Sequence, residues 1–433
     1  MRLPGTVVLR GRDFRLYWLG YLMEVSGQQM LRVGQGWLIY ELSGSAIYLG
    51  LAGLAQAVPA TILTFLGGAL ADRTDQRRLL IGIQIFQMSL LAILGTLTAL
   101  GVVQVWHLLL IVAASSAGQS LENPARQALF PRLIQRQTLM DAVAINATVY
   151  PGSRFFGPAL GGVLMAWVGL STGSVIMGAA ALFYLTAAGY VANSIFLYSI
   201  RVQGAVKAQT SSIFKEMATG LQFIGRNGIF ALLIGMTYFS NFFGWSFHSI
   251  FPIFAKDIFH AGADGLGYMH SALGAGSLLG ATLAANLAGV RWRGWLIAGG
   301  LAGEGILLVL FAHTPWFAVA LVALLLAGTS QSLFNVTTQS TLQYLVPNEF
   351  RGRVMGVWGM THTAVQPTGQ LVLGVLAGLR SAPWAVTLGG SLVFGFALLI
   401  TAASGRLRNL NLAKESTPEA AAARPAVHGA PSA

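Results

Sequence analysis

Apolar residues in this chain arrive in long blocks, with neither the spacing of a soluble amphipathic helix nor the alternation of a half-buried strand. Marking stretches of about twenty residues bounded by charges, proline or glycine gives twelve blocks, at 14–40, 46–69, 79–101, 105–126, 141–167, 173–197, 229–254, 265–290, 295–313, 316–338, 354–379 and 384–404. Each is long enough to cross a bilayer as a helix, so the pattern predicts an all-α membrane protein with twelve transmembrane helices. The longest hydrophilic connection, 198–228, divides these into two six-helix halves, 14–197 and 229–404, flanked by a short segment 1–13 and a tail 405–433. Within the connection Ile213, Met217, Leu221 and Ile224 recur at helical spacing beside Lys215, Glu216 and Arg226, which predicts an amphipathic interfacial helix. The tail is poor in large apolar residues and is expected to be disordered.

Composition agrees. Of 433 residues, 55% are hydrophobic and 9% charged, against about 25% charged in a soluble domain. A net charge of +12 raises nucleic acid as a partner, but the placement of the charges argues against it. Of the 26 Lys and Arg, Lys256 and Arg380 lie on one face and Arg32 and Arg154 inside blocks, while all the others fall on the face that carries both termini. The positive-inside rule makes that face cytoplasmic. Arg2, Arg10, Arg12 and Arg15 precede a first block that ends in Trp37-Leu-Ile-Tyr-Glu41, not in a small-residue cleavage site, so it reads as a retained span. Without cysteine, disulfides, thiolate metal sites and cysteine nucleophiles are excluded.

The halves echo each other. Asn123-x-x-x-Gln127 closes the fourth block and Asn335-x-x-x-Gln339 the tenth, each followed by a proline, Pro131 or Pro347. Leu49-Gly50 opens the second block as Leu266-Gly267 opens the eighth. Nearly equal separations suggest one internal duplication, as in transporters built from repeats.

Gly68-Ala-Leu-Ala-Asp72-Arg73-Thr-Asp75-Gln-Arg77-Arg78 resembles the loop signature between the second and third helices of the major facilitator superfamily, with Asp75 where glycine is usual. Gly157-Pro158-Ala-Leu-Gly161-Gly162 is similar to the motif of its antiporters, with Ser153 in place of the preceding glycine. Trp37-Leu-Ile-Tyr-Glu-Leu-Ser-Gly-Ser45, Asn123-Pro-Ala-Arg-Gln-Ala-Leu-Phe-Pro131 and Gln343-Tyr-Leu-Val-Pro-Asn-Glu-Phe-Arg351-Gly-Arg353-Val-Met355 resemble the bacterial branch that includes enterobactin exporters and macrolide-efflux proteins. The resemblance implies two pseudo-symmetric six-helix bundles, alternating access, and export of a small amphipathic molecule against proton entry by an inner-membrane monomer. In that fold Gly68, Asp72, Arg73, Arg77 and Arg78 would form a conformational latch. Glu122 and Arg126, one helical turn apart, are expected to join it through Arg73 or Arg77.

Ionisable groups inside spans are costly and are functional candidates by default. Glu24, Gln28, Arg32 and Gln35 recur along one stripe of the first block. Glu24 is the first candidate for a coupling proton, since burial favours the neutral carboxyl and a nearby arginine the carboxylate. Arg32 and Arg154 are candidate partners or substrate anchors. Glu304 is expected to pack against a neighbour, with a proton role as the alternative. Gln119, Asn123, Asn241, Gln331, Asn335 and Gln339 are cavity-lining candidates by the resemblance, as are Trp37, Trp245 and Phe334 for an aromatic wall. His248, His270 and His362 lack metal-ligand spacing and are expected to be satisfied buried histidines. Gly169-Leu-Ser171-Thr-Gly173 fits a nucleophile elbow only by pattern, because no strand precedes it, and no phosphate-binding loop of the G-x-x-x-x-G-K-[ST] type occurs. The chain is thus expected to be no enzyme, to use no cofactor or metal, and to have a small molecule, protons and membrane lipids as partners. Rival readings are an importer or uniporter on the same fold, and a non-transporting scaffold.

Overall fold

The computed structural model describes residues 8–201, 213–287, 289–290, 292–408 and 410, with the side chains of all of these except 64–73, 136, 213–218 and 406. Helices lie over every apolar block. In the N-terminal half they are α1 (Arg12–Ser43), α2 (Ala46–Arg73), α3 (Gln76–Ala99), α4 (Val105–Leu129), α5 (Leu139–Thr172) and α6 (Val175–Ser199). α7 (Ile213–Arg226) leads into the C-terminal half. There α8 (Gly228–Phe239), a π-helical turn (Ser240–Gly244), a 3-10 segment (Trp245–Ile250), α9 (Phe251–Ile253) and a second π turn (Phe254–Ile258) follow in one run. α10 (Gly262–Asn286), α11 (Arg293–His313), α12 (Phe317–Leu345), α13 (Asn348–Met360), a π turn (Thr361–Val365), α14 (Gln366–Leu379), α15 (Ala382–Ala403) and the short α16 (Gly405–Arg408) complete the chain.

Local chemistry sets the boundaries. Gly44, at φ 60°, ends α1 in the left-handed region that glycine enters without a Cβ penalty, and Gly173, at φ 72°, ends α5 in the same way. The Asp75 carboxylate accepts hydrogen bonds from the backbone N–H groups of Arg77 (2.9 Å) and Arg78 (3.1 Å), so the aspartate that replaces the usual glycine caps α3. α5 continues through Pro151 and Pro158.

Among the described residues eight helical stretches are long and apolar enough to cross a membrane: α2 to Leu63, α3, α5, α6, the run Gly228–Ile258, α11, α12 and α15. The remaining long helices, α1, α4, α10 and the pair α13–α14, fall short of that hydropathy. Their polar residues include Glu24, Arg32, Gln119, His270, His362 and Gln370, which face protein or cavity and not lipid. Elsewhere large apolar side chains such as Ile93, Leu110, Val322 and Leu399 are more than half exposed, as a bilayer-facing surface requires.

α1 packs on α5 and α6, α2 on α4, and α3 on α4 and α6; α10 packs on α12, and α11 on α12 and α15. The halves meet where α5 crosses α10 and α2 crosses α14. At the end of the molecule that carries the Gly44 turn, one apolar cluster joins both halves, with Leu38, Leu49 and Met165 beside Phe251, Leu266, Phe311 and Leu373. Toward the opposite end, that of the Asp75 turn, the clusters are separate. Leu233, Leu301, Phe334 and Val354 belong to one, and Tyr17, Leu80, Leu129 and Leu197 to another.

α7 packs against α13. Phe223 stacks on Phe350 at 4.3 Å between ring centroids, and Ile224 is buried while Leu221 is exposed. The side chains of Ile213, Lys215, Glu216 and Met217 lie outside the described residues, as do those of Gly68, Asp72 and Arg73 and the whole tail beyond 410.

Candidate functional site: a buried charge cluster beside a polar cavity

Two polar centres occupy the membrane-embedded region. The first lies among α1, α3, α4 and α6. Glu24 is 1% exposed, Glu122 4% and Arg126 6%. Arg126 donates to the Glu24 carboxylate at 2.6 Å and pairs with Glu122 one turn back on its own helix. Glu24 also accepts hydrogen bonds from Asn193 (2.5 Å), Gln84 (3.0 Å) and Gln28 (3.0 Å), and Gln84 reaches Glu122 at 3.3 Å. The guanidinium lies over the Tyr21 ring, 4.4 Å from its centroid. Two carboxylates thus share one guanidinium, with amides donating further hydrogen bonds to Glu24 and, from Gln84, to Glu122.

Of the two expected latch partners of Glu122, the side chain of Arg73 lies outside the described residues. Glu122 does not meet Arg77. Instead Arg77 donates to the carbonyl of Leu197 at 2.8 Å and to that of Tyr198, closing the C-terminus of α6, and Arg78 is exposed. Arg126 turns inward to Glu24, a partner that helical periodicity does not reveal.

The second centre is a cavity of about 950 Å3 between the halves. It lies on the Asp75 side of the α2–α14 and α5–α10 crossings. Arg32, Gln119, Asn123, Arg154, Trp245, Gln331, Asn335 and Gln339, all proposed from sequence, border it. Gln28 and Gln35 border instead a smaller cavity of about 170 Å3, which shares Arg32, Gln119, His248 and Gln370 with the large one. Three expected lining residues do not border either cavity. Trp37 is buried in the apolar cluster at the Gly44 end, Phe334 is enclosed in that of the C-terminal half, and Asn241 is buried with its amide donating to the Thr237 carbonyl at 2.9 Å. All three point between helices because each helix has only one face on the cavity.

Arg154 lies with its guanidinium over the Trp245 ring, 4.7 Å from the centroid. Tyr150 borders the cavity within electrostatic reach of both Arg32 and Arg154. His248, His270 and His362 also border it, against the expectation of enclosed histidines. His248 Nδ1 lies 2.6 Å from the Trp245 carbonyl, and its Nε2 is 3.5 Å from the Gln370 amide. No cluster of His, Asp or Glu with metal-binding geometry occurs among the described residues.

Glu304 belongs to neither centre. Buried in α11, it accepts a hydrogen bond from Ser240 at 2.7 Å, while its other oxygen faces the π turn at Gly244. The glycines of the Gly157-Pro158 motif divide their work. A Cβ on Gly157 would lie 2.7 Å from Gln29 Cβ and one on Gly161 3.0 Å from Met30 Cα, so both admit α1; Gly162 admits α10.

A family described as transmembrane secretion effector matches residues 6–428. The chain belongs to that family, within the major facilitator superfamily. It is 22% identical over 392 residues to macrolide efflux protein A of Streptococcus pyogenes, covering 89% of this chain and 94% of that protein. It is 24% identical over 398 residues to the enterobactin exporter EntS of Shigella boydii serotype 4, covering 88% and 87%. A solved bacterial homolog of the human lysosomal transporter Spinster, inward-facing and occupied, superposes with a TM-score of 0.73 at 13% identity, over 92% of this chain and 98% of that one. The chain is therefore a multi-pass membrane transporter, not an enzyme.

Residues that sequence reasoning passed over are Gln84, Asn193, Tyr150, Gln29, Gln56 and Gln370. Amides in the middle of apolar blocks, such as Gln84 and Asn193, carry the same signal as intramembrane charges, at lower strength.

Proposed function

We propose that this protein is a bacterial inner-membrane exporter with both termini cytoplasmic, working by alternating access between two six-helix bundles as a proton antiporter. One observation carries the reading: a single apolar cluster joins the halves at the Gly44 end, while a polar cavity separates them toward the Asp75 end. With the Asp75 end cytoplasmic, a reading that the distribution of Lys and Arg supports, this is the inward-open state. The efflux names of the relatives support export, and a small amphipathic molecule suits a cavity of this size.

The coupling proton is assigned to the Glu24–Glu122 pair. Two carboxylates around one guanidinium leave one negative charge in excess, and a proton removes it. Antiport then requires that the proton and the substrate favour opposite states. Asp72, Arg73 and Arg77 are proposed to govern interconversion at the cytoplasmic end.

The test is efflux in energised inverted vesicles with a pH-sensitive dye, using a macrolide, a catechol siderophore and an amphipathic dye as candidates. Substrate-dependent proton movement that is present in the wild type and lost in Glu24→Gln is the expected result. Transport that survives collapse of the pH gradient would replace the antiporter by a uniporter.

A further inference from the structure

The charges of the cavity have one sign. Arg32 and Arg154 border it, and no Asp or Glu does among the described residues. Neither arginine is in an ion pair among the described residues, where Arg126 holds Glu24 and Glu122 and Lys256 pairs with Glu41. Glu24 and Glu122 are enclosed by Arg126, Gln84, Asn193 and Gln28, and do not border the cavity. Low-dielectric walls make the field of two uncompensated guanidinium groups stronger than it would be in water.

Resting on the transporter reading above, we propose that the cavity is a site for an organic anion with an aromatic body, held by the guanidinium groups of Arg32 and Arg154. The Arg154 guanidinium lies over the Trp245 ring, a contact that uses no hydrogen bond and so leaves its N–H groups able to donate to an acidic oxygen. Tyr150, Trp245 and Trp358 supply aromatic surface for the rest of the molecule, and Gln119, Gln331 and Asn335 supply neutral donors and acceptors. A cation entering the same space meets two like charges and no carboxylate. The chemistry therefore separates this protein from a pump for basic amphiphiles, even though the fold would serve either.

The test uses the purified full chain in nanodiscs of zwitterionic lipid at mildly alkaline pH. Two xanthene dyes of similar size are titrated by fluorescence anisotropy: fluorescein, which is anionic, and rhodamine 123, which is cationic. Fluorescein is expected to bind about tenfold or more tightly than rhodamine 123. Arg32→Gln and Arg154→Gln should each weaken fluorescein about tenfold, Arg154→Lys less, and Gln119→Glu, which keeps both arginines, should weaken it as well. Retention volume on size exclusion and an unchanged melting curve show that each variant is folded. Rhodamine 123 binding equal to or tighter than fluorescein overturns the proposal, as does fluorescein binding indifferent to all four variants, or binding of neither dye. Spin labels on the two halves in the same discs separate this from the transporter reading. Exchange between two distances without fluorescein binding removes the anion site alone, and fluorescein binding with one fixed distance removes alternating access alone.

Discussion

Arg126 of α4 and Glu24 of α1 lie 2.6 Å apart across 102 residues of sequence, and the same guanidinium pairs with Glu122. The stoichiometry makes the three groups unequal. Removing a carboxylate leaves a matched ion pair, whereas removing the guanidinium leaves two buried acids with only amides to hold them.

Arg126→Gln is accordingly expected to destabilise the folded protein by about 3–5 kcal/mol, the usual cost of orphaning a buried charge. Glu122→Gln, which keeps the Arg126–Glu24 pair, should cost less than about 1 kcal/mol. Thermal unfolding in detergent measures both. Equal melting temperatures for the two variants would show that the guanidinium is not what holds the carboxylates.

The crossings that close the Gly44 end are related by the internal repeat. A Cβ on Gly162 would lie 2.7 Å from the Ala263 carbonyl and 3.0 Å from Gly267 Cα; one on Gly374 would lie 2.6 Å from the Ala46 carbonyl and 3.0 Å from Gly50 Cα. Gly50 and Gly267 are the repeat-related positions recognised in the sequence, and Gly162 and Gly374 are their partners. Gly162→Val and Gly374→Val should therefore act alike, forcing this end apart and favouring the opposite state. The native chain has no cysteine, so Ser249→Cys, which borders the smaller cavity, reports access directly. Faster labelling from the Gly44 end is expected in both variants, and an effect confined to one of them would break the symmetry argument.

How far the sequence carried depends on the range of each interaction. Block length reported helix positions well, because a span must be apolar whatever its neighbours are. Block hydropathy was weaker where helices turn a polar face inward, and for that reason α1, α4, α10 and α13–α14 fall below the threshold that the eight other stretches meet. The π turns at Ser240–Gly244 and Thr361–Val365 left no signal in block length, which reports apolarity and not the local winding of a helix. The Glu122–Arg126 pair is one helical turn and was legible; Glu24, from another helix, was not. Asp75 departs from the loop signature because its carboxylate caps α3, a role that the signature's glycine could not fill.

Glu304 and Gly244 form a coupled pair. A Cβ at Gly244 would lie 2.7 Å from the unpartnered oxygen of Glu304 and 3.3 Å from Val393. Gly244→Val should cost about 1–3 kcal/mol by overpacking, and Ser240→Ala about 1 kcal/mol through its lost hydrogen bond. In Glu304→Ala the space opens, so the penalty of Gly244→Val should shrink in the double variant. A melting-temperature cycle measures this, and strict additivity would show that the two side chains do not share the space.

At the Gly44 end two polar contacts join the halves in different environments. Lys256 and Glu41 meet at 2.8 Å with about a third of each side chain exposed, whereas the neutral Tyr40 hydroxyl, on a largely buried ring, donates to the exposed Asp257. An exposed ion pair contributes at most about 1 kcal/mol, so Lys256→Gln should shift the balance between open and closed forms by a factor of about five at most. In molar salt the Debye length falls to about 3 Å, and the difference between Lys256→Gln and wild type should then fade. Asp257→Asn alters a hydrogen bond from a neutral hydroxyl and not a pair of opposite charges, so its effect should persist at the same salt concentration. Pulsed dipolar measurements between labels at Leu100→Cys and Leu379→Cys, both exposed at this end, read the populations. If salt abolished both effects equally, the Tyr40–Asp257 contact would depend on charge as the ion pair does, and closure of this end would rest on the glycine crossings and the apolar cluster alone.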